Sequence, residues 1–222
     1  MPIKVKEIPN DKIHIGHIRM NRNHPIPNNE GMPIDRYNFA LLISAPSGAG
    51  KTNLWVSLLQ RGNMLAKKFH EIHIWSPSLH TIEKDLGIPD EFIHQEMDME
   101  ELSGMLEYYK RLKESGSNKQ ILFIIDDMIG DLADKYGKEM MKMILNRAHM
   151  GLSIIFTSQS YTKGIPLILR KNMSGVIQFN TINKKELEAI REELTSFSKD
   201  EWMKIIRETL ISPHDFLFIK NN

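Results

Sequence analysis

The chain has 222 residues, 29 basic and 28 acidic side chains, a formal charge of +1 and no cysteine. That length suits one large domain, or a domain with an arm, and can bury a core unaided. The charge balance argues against a global positive field for nucleic acid, and the missing cysteines exclude disulfides and thiolate metal sites and suit a reducing compartment.

Residues 1–37 are punctuated by Pro2, Pro9, Pro25, Pro27 and Pro33. They read as an N-terminal arm or edge element with a strand at Lys12 to Met20. The first residues have no apolar signal core, and the longest apolar runs are too short to span a bilayer, so a soluble intracellular protein is expected. From residue 38 to 222 apolar strands alternate with helical patterns. Phe39 to Ser44 reads as a buried strand, Asn53 to Gln60 as a helix, and Phe69 to Trp75 alternates like a strand. Leu102, Met105, Leu106, Tyr109 and Leu112 put helical spacing into Met97 to Lys113. Gln120 to Asp126 is an apolar strand ending in acid, and Lys138 to Ala148 is amphipathic. Leu152 to Thr157, Gly175 to Phe179 and Asp215 to Ile219 follow as strands, with helices at Lys184 to Leu194 and Lys199 to Leu210. This alternation predicts an α/β fold, a largely parallel central sheet with helices on both faces.

Ala45-Pro46-Ser47-Gly48-Ala49-Gly50-Lys51-Thr52 stands between the first strand and the first helix. That context turns a glycine-rich loop into a phosphate-binding loop, with backbone N–H groups and the helix N-terminus facing the phosphates. Pro46 through Asn53 are expected to hold a nucleotide. Lys51 would reach the β- and γ-phosphates, and the Thr52 hydroxyl would hold Mg²⁺. Ala45 stands where the pattern has Gly. The acid ending Ile121-Leu122-Phe123-Ile124-Ile125-Asp126-Asp127 complements it: Asp126 lies at the carboxyl end of a strand, where open α/β sheets bind ligands, and would share the metal with Thr52. Asp127 would orient or deprotonate the attacking water, although Glu is more usual there. The alternative is a pair of acids capping the next helix.

A strand and a helix separate the loop from the acids, as in the additional-strand division of P-loop NTPases with a RecA-like core. That division carries a polar sensor after the next strand, here Thr157, Ser158 or Gln159. Gln159 could bond the γ-phosphate or the lytic water; the alternative is a solvated turn. Together with Arg147-Ala148-His149, Leu152 to Tyr161, Ile165-Pro166, Leu169-Arg170, Asn172 and His214-Asp215-Phe216-Leu217, these stretches resemble the poxvirus-type DNA-packaging ATPases of large nucleocytoplasmic DNA viruses, in the FtsK/HerA superfamily.

The resemblance implies an ATP- and Mg²⁺-dependent motor working as a homo-oligomeric ring, a pentamer or hexamer, on double-stranded DNA. Capsid vertex or portal proteins would be its partners, and the host cytoplasm at the viral assembly site, or the virion, its location. It also implies an arginine reaching a neighbour's γ-phosphate, with Arg147 first and Arg170 second, the alternative for Arg147 being a cation at a helix C-terminus. The loop before the acidic strand, with Lys113 and Lys119, could project into a pore, or be an ordinary solvated helix end. His14 with His17, and His70 with His73, have metal-compatible spacing, but alternation around both pairs favours structure. A small-molecule or nucleotide kinase is the rival enzyme, although no arginine-rich lid is present. A non-catalytic nucleotide-dependent assembly factor is the rival of another class, kept open by the short acid Asp127.

Overall fold

The computed structural model describes residues 24–60, 63–77, 86–163 and 165–221, with backbone alone at 129–134. The strand expected at Lys12 to Met20 lies outside the described residues. One seven-stranded sheet organises the rest, in the order β3-β2-β4-β5-β1-β6-β7. Its strands are β1 Ala40–Ser44, β2 Glu71–Trp75, β3 Ile93–His94, β4 Ile121–Ile125, β5 Leu152–Ser158, β6 Gly175–Phe179 and β7 Phe216–Lys220. All pairings are parallel except β6 with β7. The helices are α1 Lys51–Leu59, α2 Met99–Glu114, α3 Ile129–Asn146, α4 Leu167–Lys171, α5 Lys184–Leu194 and α6 Lys199–Thr209.

Burial on both faces explains why the central strands are continuous apolar runs. Ile121, Phe123 and Ile125 face α2 and α3, packing with Leu102, Tyr109, Met140 and Met143. Leu122 and Ile124 face the other layer with Trp55 and Val56 of α1. Each fully buried side chain of this size contributes about 1.5–3 kcal/mol. Part of the expected arm belongs to this second layer: Ile26, Ile34 and Tyr37 are buried in it, and Asn29 Nδ2 donates to Ile34 O and Met64 O.

The helix starts are locally encoded. Asp98 accepts from the N–H groups of Glu100 and Glu101 at α2, and Ser198 and Glu201 form a reciprocal capping box at α6. Gly151 ends the turn after α3 with φ +66°, and a Cβ there would lie 2.6 Å from Lys119 O, so only glycine fits. The helix read from Lys138 onward begins at Ile129; non-helical Tyr136, beside Gly137, breaks the periodicity that would have revealed its first half. Two elements are too short to show a period in the sequence: β3, of two residues, and α4, of five.

At the start of β2, Lys119 pairs with Glu71, and Tyr109 donates to Glu71 Oε2 at 2.7 Å. The Tyr109 oxygen is therefore an acceptor for His73 Nε2–H at 2.8 Å, leaving His73 Nδ1 buried without a partner. Burial, helped by nearby His94, pushes the His73 pKa from 6.5 down to about 4. The unfolded chain binds this proton near pH 6.5 and the folded chain only near 4, so His73 costs stability as pH falls through that window. Chemical denaturation should show a loss of about 2 kcal/mol between pH 7 and 5 that flattens in His73→Asn. An unchanged slope in that variant would contradict the assignment. His70, by contrast, accepts from Gln120 N through Nδ1 at 3.0 Å, so the two histidines serve separate bonds.

Candidate active site

The parallel strands end along one edge of the sheet, and the chemistry gathers there. After Ser44 the chain turns through Pro46 to Gly50 and enters α1, with Ala49 N donating to Pro46 O at 3.2 Å. Gly48 has φ +75° and Gly50 φ +105°. Within the chain, room is not the reason for either glycine: a Cβ at Gly48 meets nothing within 4 Å, and one at Gly50 meets only ordinary contacts. The left-handed backbone is the reason.

Lys51 is buried and turns back over the loop; its Nζ donates to Ala45 O at 3.2 Å and lies 3.6 Å from Asp127 Oδ1. Thr52 Oγ1 donates to Asp126 Oδ2 at 3.3 Å. The loop and the two acids therefore share one site. Asp126 is 1% exposed and heavily bonded: Ser76 Oγ also donates to Oδ2, at 3.1 Å, and Thr157 Oγ1 donates to Oδ1 at 2.7 Å. These bonds fix the carboxylate in place in a polar pocket.

Thr157 has a second task. Its Oγ1 accepts from Asp127 N–H at 2.8 Å, so one fully buried hydroxyl ties both acids together. Asp127 itself has φ +55°, a conformation in which Asp and Asn are enriched among non-glycine residues. That turn points the chain away from β4 and leaves the Asp127 carboxylate about a third exposed beside Lys51. Thr157 was legible as a polar residue at a strand end, but its double role was not; nor was Ser76, whose only signal is its place just after β2. Gln159 is exposed one residue beyond β5, on the same edge.

The expected arginines sit elsewhere. Arg147 Nε donates to Asn38 O at 2.6 Å, Nη1 to Ile144 O at 2.5 Å and Nη2 to Ser174 Oγ at 3.3 Å. Asn38 and Ser174 precede β1 and β6, so this guanidinium lies at the opposite edge of the sheet, about 15 Å of strand from the loop. It borders a cavity of about 630 Å³ walled by Asp35, Tyr37 and Lys220. Burial lowers its pKa from the ordinary arginine value. Arg170 is 8% exposed and bidentate to Glu193, at 2.9 and 2.6 Å, with its carbon 4.9 Å from the Tyr161 ring centre. Both arginines are committed within the chain, and a trans role for either would require those bonds to break. Arg170 forms a buried ion pair with Glu193, whereas Arg147 is half-buried and bonds uncharged oxygens. Lys119, held by Glu71, is likewise spent internally, whereas Lys113 lines a groove with Lys110, Lys138 and Lys142 between α2 and α3.

The family model described as Poxvirus A32 protein matches residues 32–221, nearly the whole chain. The chain belongs to the poxvirus A32 protein family. It is accordingly a P-loop ATPase of the DNA-packaging class that its motifs resemble. No curated protein matches the chain. Among solved structures, it is similar to B204, the DNA-packaging ATPase from Sulfolobus Turreted Icosahedral Virus, with 16% identity, 84% of this chain and 94% of that one covered, and a TM-score of 0.59. B204 from Sulfolobus turreted icosahedral virus 2, in complex with AMPPCP, is 17% identical over 83% of this chain and 93% of that one, with a TM-score of 0.56. EssC ATPases 2 and 3 from Geobacillus thermodenitrificans are 16% identical over 83% of this chain and 38% of that one, with a TM-score of 0.53. At these identities the likeness is one of fold, the largely parallel sheet flanked by helices.

Proposed function

We propose that this ATPase couples ATP hydrolysis to the movement of double-stranded DNA into a viral capsid. The observation that carries the chemistry is the convergence of Lys51, Thr52, Asp126 and Asp127 on one edge of the sheet. ATP as the nucleotide is supported by the B204 complexes with ATP-gammaS and AMPPCP.

The donors fit Mg²⁺. Thr52 Oγ1 and Asp126 Oδ2 are hard oxygens 3.3 Å apart, and no cluster of three or more His, Cys, Asp or Glu able to hold a metal occurs among the described residues. A cation held by few side chains, with waters and phosphate oxygens completing its shell, suits Mg²⁺. When bound, it would offset the charge of the β- and γ-phosphates.

The loop amides from Ser47 to Thr52 bind and orient the phosphates. Lys51 leaves Asp127 for the phosphate oxygens and stabilises the charge that builds there. Asp127, freed from Lys51 and held by its N–H bond to Thr157, positions water for in-line attack and takes its proton, with Gln159 as a second contact. Such chemistry is positioning plus charge stabilisation.

The working particle is a ring of five or six copies, with capsid vertex or portal proteins as partners and the viral assembly site in the host cytoplasm, or the virion, as its place. An arginine supplied in trans completes the site of a neighbour. Among the described residues no helix is long and apolar enough to cross a membrane. DNA is held on the side of Lys113, in the groove between α2 and α3 where four lysines, Lys110, Lys113, Lys138 and Lys142, stand among Glu107, Glu114 and Glu139. The experiment that tests this reading is ATP-driven displacement of a third strand from triplex-bearing duplex DNA.

A further inference from the structure

An exposed aromatic surface stands beside the phosphate loop, on the side away from the acids. It is built where β6 ends and β7 begins. Asn180 N donates to Asp215 O at 3.0 Å and Asn180 Nδ2 to Ser212 O at 3.3 Å, joining the two connections. The Asp215 carboxylate accepts from Ile211 N at 3.0 Å and from Ser212 N at 2.6 Å, which holds the turn in shape. On this frame the rings of Phe179 and Phe216 lie 5.3 Å apart at 42°. Phe179 is buried, but Phe216 is 44% exposed and Ile211 75%.

The surface is fastened to the loop itself. His214 Nδ1 lies 3.0 Å from Ala49 O. A carbonyl only accepts, so Nδ1 carries the proton, and Nε2 of the neutral ring is left as an acceptor. His214 Nδ1 and Phe179 Cε1 are the nearest atoms to a Cβ built at Gly50, at 3.7 and 3.9 Å.

Sheet order gives the direction. The acids follow β4, two strands from β1 on one side; Phe179 and Phe216 stand on β6 and β7, one and two strands away on the other. At the usual strand spacing the axes of β4 and β7 each lie about 10 Å from that of β1, and β6 about 5 Å, so the acids and the rings flank the loop from opposite sides. A nucleotide laid along this edge with its terminal phosphate at Asp126 and Asp127 therefore directs its sugar and base toward β6 and β7.

We propose that Phe216 and His214 form the nucleoside platform of the site, with a purine base lying on the Phe216 ring and His214 Nε2 accepting from a sugar hydroxyl or a base amine. This rests on the ATPase reading and adds to it the residues that would tell a nucleotide from bare polyphosphate. An aromatic face against a base is a substantial contact, and an exposed ring already held in place binds without a further ordering cost.

Calorimetric titration of Mg·ATP and of Mg·tripolyphosphate tests the proposal. In Phe216→Ala the Kd for ATP should rise about tenfold or more, while that for tripolyphosphate stays unchanged. Phe216→Trp, which keeps an aromatic face on the strand, should retain ATP affinity. His214→Ala should weaken ATP more than tripolyphosphate. If Phe216→Ala leaves ATP binding intact, or weakens both ligands equally, the platform is overturned. Lys51→Ala separates the two levels: it should weaken both ligands, and binding of both at full strength in that variant would instead overturn the phosphate site.

Discussion

Lys51→Ala should reduce ATP turnover by at least about 10²–10³-fold, the range lost when one preorganised charge-stabilising donor is removed. The fold should survive. Lys51 donates to Ala45 O and lies beside Asp127, but the loop shape comes from Gly48, Gly50 and the turn bond of Ala49, none of which the substitution touches. Phosphate release measured against circular dichroism separates lost chemistry from lost structure. Turnover within about tenfold of the parent would place the phosphates somewhere other than on this loop.

The second large effect concerns Asp127. Asp127→Asn should lower turnover by about 10²-fold or more, the usual contribution of a positioned base, while ATP binding persists. Asparagine is the right replacement for a physical reason. The residue sits at φ +55°, which Asn tolerates nearly as well as Asp, and its backbone N–H keeps the bond to Thr157. The variant therefore removes the basic carboxylate, and with it the anion beside Lys51, while leaving the backbone in place. Alanine would add backbone strain to the result. Unaltered turnover in Asp127→Asn would assign the base to another group, with Gln159 limited to orienting water. Phosphate found on an acceptor rather than free would instead favour the kinase reading.

Much of this site was legible because two different constraints fall on short, contiguous segments. A loop needing positive φ at Gly48 and Gly50 must show glycines there, and a strand buried on both faces must read as Ile121 to Ile125. The acids then follow from strand direction, since ligands gather at the carboxyl ends. Direction could also have located Arg147. A residue just ahead of a parallel strand belongs to the edge where strands begin, which is where its bonds to Asn38 O and Ser174 Oγ hold it. Arg170 carried no such signal, because its partner Glu193 lies 23 residues away, on α5, and meets it only in the folded chain. The same holds for Thr157, whose bonds to Asp126 and Asp127 cross between neighbouring strands. Strand β7 was expected, but its reversal depends on topology. Two successive helices, α5 and α6, carry the chain down and back up, so it enters β7 from the site's edge. That reversal is what brings His214 and Phe216 beside the phosphate loop.

Hydrolysis at this site is expected to move duplex DNA. The direct measurement uses the assembled particle on a duplex that carries a triplex-forming strand near one end. The strand should be released with ATP, retained with AMPPCP, and retained with ATP by Lys51→Ala particles. Rapid ATP consumption by the parent protein on that DNA, with the third strand still in place, would contradict it.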